Sequence, residues 1–405
     1  MTSVAHGLVP SSTGNGAVLA VAIALGCAVV ALGVLVPRGR ARRHRRSPSM
    51  VALTLTAAML TGVATYLVGS DTHAPEPGVP YGTQISLGGE RVGVVIAPHR
   101  PGVNLVHISR KGVLIGLDRE RLRATTSRPG AGYGWATVRL RKDTETLWLS
   151  RGDDIVEVPI SPGDTAPADV GFAGPDGPEC LSLAHGALLA DKTPPNQCPS
   201  GRLGDADAAA LREAMRFISD RGHEMVRLVG DDSPRSAAAE DIVRSASERH
   251  GIRVCAGLLS KRSGCPARPI PAVVVAGWEA ADAAVNDLAT GTLRSHGTYL
   301  APWLLTPGLL TPPAGQVIPL RYPAMDKPAL RYLTAAGTDG FAVPPSTGGY
   351  LAWREDRDDP AEETVRMYAS ASLTQPFEHH THHASWLPGG SVVPISNPLQ
   401  DTSSR

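Results

Sequence analysis

The chain has 405 residues, with 39 Lys and Arg against 38 Asp and Glu, and 42% of it is apolar. That apolar fraction excludes a wholly disordered chain. A near-neutral balance with only 4% aromatic residues argues against a nucleic-acid protein, which needs a net basic face and stacking rings.

The neutral average conceals an asymmetry. Residues 1–70 hold six arginines, all between Arg38 and Arg46, and no acidic residue. The remainder carries a net charge of −5. After an N-terminal tail (1–16), residues 17–36 (AVLAVAIALGCAVVALGVLV) form an uncharged run long enough to cross a hydrocarbon core of roughly 30 Å as a helix. Residues 51–68 (VALTLTAAMLTGVATYLV) form a second, shorter run. The Arg-rich loop 37–50 lies between them. A signal peptide is the rival reading of the first run. Its basic residues would precede the apolar run, whereas here they follow it. The positive-inside rule then keeps the loop in the cytoplasm and puts both the N-terminus and residues from about 71 onward outside. The expected location is the cell membrane, with two spans. The loop can also contact acidic lipid.

Cys27 falls within the first run. Four cysteines remain, and the two close pairs predict the bonds Cys180–Cys198 and Cys255–Cys265, as an oxidising compartment allows. Zinc is the alternative, although no C-x-x-C pair is present.

Residues 69–82 (GSDTHAPEPGVPYG) are a Pro/Gly-rich spacer. From 83 to 161 the pattern is β. Arg91–Ala97, Asn104–Ile108, Trp135–Leu140 and Thr146–Ser150 are strand-like, with turn signals between them. Short strands over this length predict a small sandwich. The Arg151-Gly152-Asp153 triplet reads as a turn.

The runs VVIAPHRPGVNLVHI (94–108) and LWLSRGDDIVEVPI (147–160) resemble the immunoglobulin-like soluble domain of bacterial copper-transport membrane proteins. The resemblance implies a sandwich. His99 and His107 lie in the matching region, either as ordinary hydrogen-bonded histidines or as metal ligands.

Residues 162–179 read as a second linker. From 180 to 355 helices and strands alternate, which predicts a mostly parallel sheet covered by helices. Helices are expected at Asp205–Asp220, from Ser233-Pro234 to about His250, and at Trp278–Ala289. Strands are expected at Val226–Gly230, Ile252–Ala256, Ala272–Ala276, Thr298–Ala301, Gln316–Pro319 and Gly340–Val343. The segments MVRLVGDDSPRSAAAEDIVRSASERHGIRV, AVVVAGWEAADAAV and DGFAVPPSTGGYLAW resemble one lobe of type 1 periplasmic solute-binding proteins. The resemblance implies a small-molecule ligand. Arg235-Ser236 depart from the aromatic residue and glycine usual after the turn, and that family has two lobes and about twice this length.

In open α/β sheets ligands bind beyond the carboxyl ends of the strands. Asp231, Asp232, Ser233, Trp278, Glu279 and Trp303 fall there, with Gly277 and Ser346-Thr347 beside them. The tryptophans can stack on an apolar ligand, and the helix N-termini can take an anion. The competing reading is structural: Asp and Ser cap helices, and Gly makes turns.

The C-terminal segment, 356–405, contains Glu378, His379, His380, His382 and His383. Four imidazoles and a carboxylate in six residues can wrap Cu or Zn. No other cofactor is expected, and no catalytic residue is assigned. The chain lacks G-x-S-x-G, H-E-x-x-H, a phosphate-binding loop and G-x-G-x-x-G. The sequence thus reads as a membrane-anchored extracytoplasmic binding or sensing protein. The alternative is a metal-handling accessory protein, and an exported enzyme ranks third. Its expected partners are the bilayer, a membrane protein, and a small molecule or metal ion, but no nucleic acid.

Overall fold

The computed structural model describes residues 77–164, 171–195, 197–256, 264–310, 315–354, 364–372 and 385–399. The apolar runs 17–36 and 51–68, the Arg-rich loop and the His-rich stretch 378–383 lie outside the described residues. Among the described residues no helix is long and apolar enough to cross a membrane.

The first domain is a two-layer antiparallel sandwich of nine strands. They are β1 (Tyr81–Leu87), β2 (Glu90–Ala97), β3 (Gly102–Ile108), β4 (Leu114–Gly116), β5 (Arg123–Ala124), β6 (Thr126–Arg128), β7 (Gly132–Leu140), β8 (Thr146–Arg151) and β9 (Asp154–Pro159). One sheet has the order β1-β2-β3-β7-β6 and the other β5-β4-β8-β9. Alternation along the strands sets the layers. In β8, Leu147 and Leu149 point into the core shared with Val94, Ile96, Val106 and Ile108, while Trp148 faces outward. β2 is apolar on both faces because both are covered. Val94 and Ile96 fill the sandwich core, whereas Val95 and Ala97 pack against the second domain.

Among the described residues the second domain contains six α-helices: α1 (Gly177–Leu189), α2 (Asp205–Asp220), α3 (Pro234–Arg249), α4 (Trp278–Ala289), α5 (Lys327–Thr338) and α6 (Thr347–Trp353). Its strands are β10 (Met225–Val229), β11 (Arg253–Ala256), β12 (Ala272–Val274), β13 (Thr298–Leu300), β14 (Gln316–Leu320), β15 (Arg366–Ser372) and β16 (Gly390–Pro394). They form one sheet in the order β11-β10-β12-β13-β14-β15-β16. The five strands from β11 to β14 are parallel, and β15 and β16 join antiparallel. Arg366–Ser372 and Gly390–Pro394 therefore extend the α/β sheet. Helix starts follow local chemistry. Ser233, Asp326 and Ser346 each accept a backbone N–H of their helix's first turn, with Pro in the first turn of α3 and α5. Both disulfides, Cys180–Cys198 and Cys255–Cys265, are formed.

The strand expected at Gly340–Val343 is absent. Gly340 has φ +81° and Ala342 φ +55°, outside the range of extended chain. Instead, this segment threads between the two domains. Gln84 Nε2 donates to the Asp339 carbonyl at 2.7 Å, and His107 Nε2 lies 3.1 Å from the Ala342 carbonyl. Phe341 and Val343 complete a third apolar cluster with Val95, Leu105, Trp135, Phe172 and Leu181. The backbones approach closely here. A Cβ on Gly93 would overlap the Gly340 carbonyl oxygen, and one on Gly308 would overlap that of Gly130.

Candidate functional site

β10 leads one way to β11 and the other way to β12, so the order of the parallel strands reverses between β10 and β12. Ligands of open α/β sheets sit outside the carboxyl ends at such a point. The sequence places Asp231, Asp232 and Ser233 after β10, Trp278 and Glu279 after β12, and Trp303 after β13. The structure gathers four of these six into one buried or half-buried network and leaves Asp232 and Glu279 exposed.

The network fills the site with the chain's own groups. Asp231 Oδ2 accepts from Gly277 N at 2.6 Å, and its Oδ1 accepts from Ser233 N at 3.0 Å. Burial pushes this carboxyl up, but the hydrogen bonds from Ser233 and Gly277 outweigh burial and hold it below its usual range. Asp176 Oδ1 accepts from Trp278 N at 2.8 Å. The α4 N-terminus, an expected anion seat, is thus capped by two carboxylates of the protein itself. Both tryptophans are buried. Trp278 Nε1 donates to the Trp303 carbonyl at 3.2 Å, and Trp303 Nε1 donates to that of Ala276 at 2.9 Å. The Arg235 guanidinium stacks 4.6 Å from the Trp303 ring centroid. Further along the edge, Tyr322 Oη meets Thr347 Oγ1 at 3.0 Å, and Thr347 Oγ1 donates to the Pro302 carbonyl at 2.7 Å. Both indole rings are thus buried in the protein's own packing.

Arg235 is the centre of charge here. It forms two parallel bonds of 2.7 Å each to Glu179, which reaches the strand ends from α1. Burial works against the guanidinium's charge, but Glu179 outweighs it, so the Arg235 pKa is raised. Asp176 is pushed up to about 6, by burial first and then by Glu179, against the pull of Arg235. Half-buried Asp207, in the first turn of α2, is also pushed up to about 6 by burial, which Arg235 opposes and Glu179 assists. Sequence reasoning missed Asp176, Glu179 and Asp207 as members of the site. One signal was available. A cation in the first turn of α3 opposes the helix dipole, and Arg235 therefore needed an acidic partner.

Asp176 carries a prediction. Its folded pKa of about 6 lies above the unfolded 3.8. The folded state then holds this proton more tightly, and the resulting stability is complete below about pH 3.8 and lost as pH rises through about 6. Asp176→Asn keeps an oxygen for the Trp278 N–H and has no proton to lose. Unfolding measured against pH should show a slope flattened by about 3 kcal/mol between pH 4 and 6.5, with the variant the more stable protein at pH 7. An unchanged slope would contradict the assignment.

A separate cleft of about 500 Å³ opens where the domains meet. It lies between the β6–β7 turn (130–132), residues 307–308, α5, and the segment 342–345. Ala131, Pro307, Leu333, Ala336, Val343 and Pro345 are among its lining residues. No charged side chain lines it among the described residues, and Ser385 contributes the one polar side chain. That hydroxyl is engaged, donating to the Gly390 carbonyl at 3.2 Å and accepting from Leu387 N at 3.2 Å. The volume falls in the range of small-molecule pockets, about 300–1,000 Å³. Among the described residues no group of three His, Cys, Asp or Glu is placed to hold a metal ion. His99 and His107 are buried, and neither belongs to such a group.

No protein-family model matches the chain, and no curated protein matches it by sequence. Two solved structures are similar in part. An extracellular ligand-binding receptor from Rhodopseudomonas palustris is 13% identical, with 38% of this chain and 48% of that chain covered at a TM-score of 0.28. A branched chain amino acid ABC transporter from Thermus thermophilus with bound valine is 12% identical, with 52% and 69% covered at a TM-score of 0.30. The chain thus spans about half the length of the first of these. Similarity of this extent carries no conclusion about ligand or mechanism. Copper-transport proteins have no place in these two matches.

Proposed function

We propose that this chain is a membrane-anchored, extracytoplasmic binding protein, and that its ligand seat is the apolar cleft at the domain junction. The observation that carries the binding reading is the cleft itself: about 500 Å³, without a charged lining side chain among the described residues, at a boundary between two domains. Small-molecule sites favour such boundaries. The strand-end position, by contrast, is occupied by Asp231, Asp176 and Arg235. Two disulfides support the extracytoplasmic placement, because such bonds persist in oxidising compartments. Anchoring rests on the apolar runs 17–36 and 51–68.

The lining defines the ligand class. With no charge to compensate an ion's desolvation, the cleft selects neutral, largely apolar molecules. Gly337 offers a clean test. It lines the cleft, is exposed, and a Cβ there would meet no atom within 4 Å. Gly337→Phe should fill the cleft without strain, and replacing a helical glycine adds to stability rather than reducing it. In a melting-shift screen of neutral apolar and charged small molecules, neutral compounds should raise the wild-type Tm by several degrees and leave Gly337→Phe unmoved. Shifts confined to charged compounds, or equal shifts in both proteins, would refute the assignment.

A further inference from the structure

We infer that one wall of the cleft is an acid-released latch, with His107 holding the segment from Asp339 to Val343 in place only while its imidazole is neutral. This inference rests on the cleft reading above, since it assigns that site its regulation. Ala342, Val343, Pro344 and Pro345 form the wall. Ala342 has φ +55°, a conformation that costs an L residue energy, so contacts from outside must hold it. The His107 ring supplies one. A carbonyl can only accept, so Nε2, 3.1 Å from the Ala342 oxygen, is the nitrogen that carries the hydrogen. Nδ1 then has none. It is buried and has no hydrogen-bond partner among the described residues. A proton added there would put a charge and an unmatched donor into a site 3% exposed, against the Trp135 ring.

The surroundings do little to compensate that charge. His185 from α1 and Asp339 at the end of α5 are the titratable groups that face His107. His185 opposes a charge on His107 and Asp339 favours it. Both Asp339 oxygens are already engaged, however: Oδ2 lies 2.5 Å from His185 Nε2, and Oδ1 accepts from Phe341 N at 2.9 Å. The other acid of α1, Glu179, is bound to Arg235. Strands β2 and β7 flank His107 with Val95 and Trp135. The charged residues of β2, β7 and α5 (Glu90, Arg91, Arg139, Lys327 and Arg331) are exposed. Tyr332 of α5 is pushed up to about 12 by burial and stays neutral. Closed, the junction keeps the His107 pKa at about 4; once wetted, the ring returns toward 6.5. The open form therefore takes up the proton between these values, and acidification across that window favours opening by up to about 300-fold. Pro344 and Pro345 have fixed φ and pass a displacement of Ala342 along the wall. Acid thus releases a neutral ligand whose own charge never changes.

The test uses the full chain in a Cys27→Ala background, with a neutral, polarity-sensitive naphthyl ketone on Gly337→Cys. Gly337 lines the cleft, and a Cβ there meets no atom within 4 Å, so the label is a tethered occupant of the cleft. A control label sits on Leu351→Cys, 47% exposed on α6. At pH 7.5 the label at 337 should emit to the blue of the control and be quenched by acrylamide at least threefold less. At pH 4.5 the two labels should match, reversibly and with far-UV circular dichroism unchanged, and the midpoint should fall between about 4 and 6.5. His107→Gln keeps a donor for the Ala342 carbonyl but cannot titrate. His107→Phe is a second non-titrating variant, and in neither should the label respond to acid. A label that stays blue and shielded at pH 4.5 with His107 present overturns the latch and leaves the cleft standing. An acid response of the same size in both variants also overturns it. A label at 337 no bluer than the control at pH 7.5 refutes the cleft reading, and the latch with it.

Discussion

Arg235→Met is expected to lower stability by about 3–5 kcal/mol, the usual cost of removing one partner of a buried ion pair. Arg235 and Glu179 are 2% and 1% exposed and are joined by two bonds of 2.7 Å. Removing the guanidinium strands Glu179 without water, with Asp176 and Asp207 close by. The loss should be smaller at pH 5 than at pH 7.5, because Asp176 and Asp207, held near 6, then take up protons and relieve the excess negative charge. The double change Arg235→Met with Glu179→Leu should recover most of the stability, since replacing a buried pair by apolar groups is often neutral. Urea unfolding at the two pH values measures all three quantities. A single-variant loss within about 0.5 kcal/mol, as for an ordinary surface change, would mean that this pair does not organise the strand ends.

His107 should give the largest pH effect at the domain junction. Its imidazole is buried against the Trp135 ring, with 4.3 Å between centroids. Burial pushes its pKa down to about 4. The Ala342 and Phe341 backbone contacts oppose burial, His185 adds to it, and Asp339 draws the other way. In the unfolded chain the ordinary value is 6.5. Between these values the unfolded state binds the proton and the folded state does not. Stability from this group is therefore complete above about pH 6.5 and lost as pH falls through about 4. The loss amounts to about 3 kcal/mol. Asp176 and Asp207 act with the opposite sign in an overlapping window, so His107 offsets only part of their combined slope in the wild type. His107→Phe should steepen that slope, with stability falling more sharply as pH rises from 4 to 6. Chemical unfolding across that range is the check. A profile with the wild-type shape in His107→Phe would show that this imidazole is not held neutral.

Much of the α/β domain was legible because its signals are local. Asp205–Asp220 and Trp278–Ala289 have the bounds expected from their periodicity, and Ser233-Pro234 starts α3. The disulfide pairing followed from two close cysteine pairs. What escaped is non-local. The short strands β4, β5 and β6 exist through pairing rather than pattern. The run from Gly340 to Val343 looks like a strand but is turned by two positive φ angles where the domains clamp it. The site was misjudged for the same reason. Asp231, Trp278 and Trp303 do meet at the strand ends, as their spacing implied. The groups that hold them, however, come from far along the chain: Asp176 binds Trp278 from 102 positions away, and Glu179 of α1 holds Arg235 from 56 positions away. No local pattern reveals that Asp176 caps α4 or that Arg235 covers Trp303. The cleft was invisible for a stronger reason. Its lining of Gly, Ala, Pro, Val and Leu from both domains carries no chemical signature in the sequence.

The central claim is that ligand is held at the domain junction and not at the strand ends. Isothermal titration of one neutral compound from the melting screen tests it directly, against wild type, Gly337→Phe, and Asp232→Ala with Glu279→Ala. The two acidic side chains are the exposed members of the strand-end set, so their removal leaves the core intact. Binding abolished by Gly337→Phe and unchanged in the double alanine variant is the predicted result. Binding retained in Gly337→Phe and lost in the double variant would contradict it.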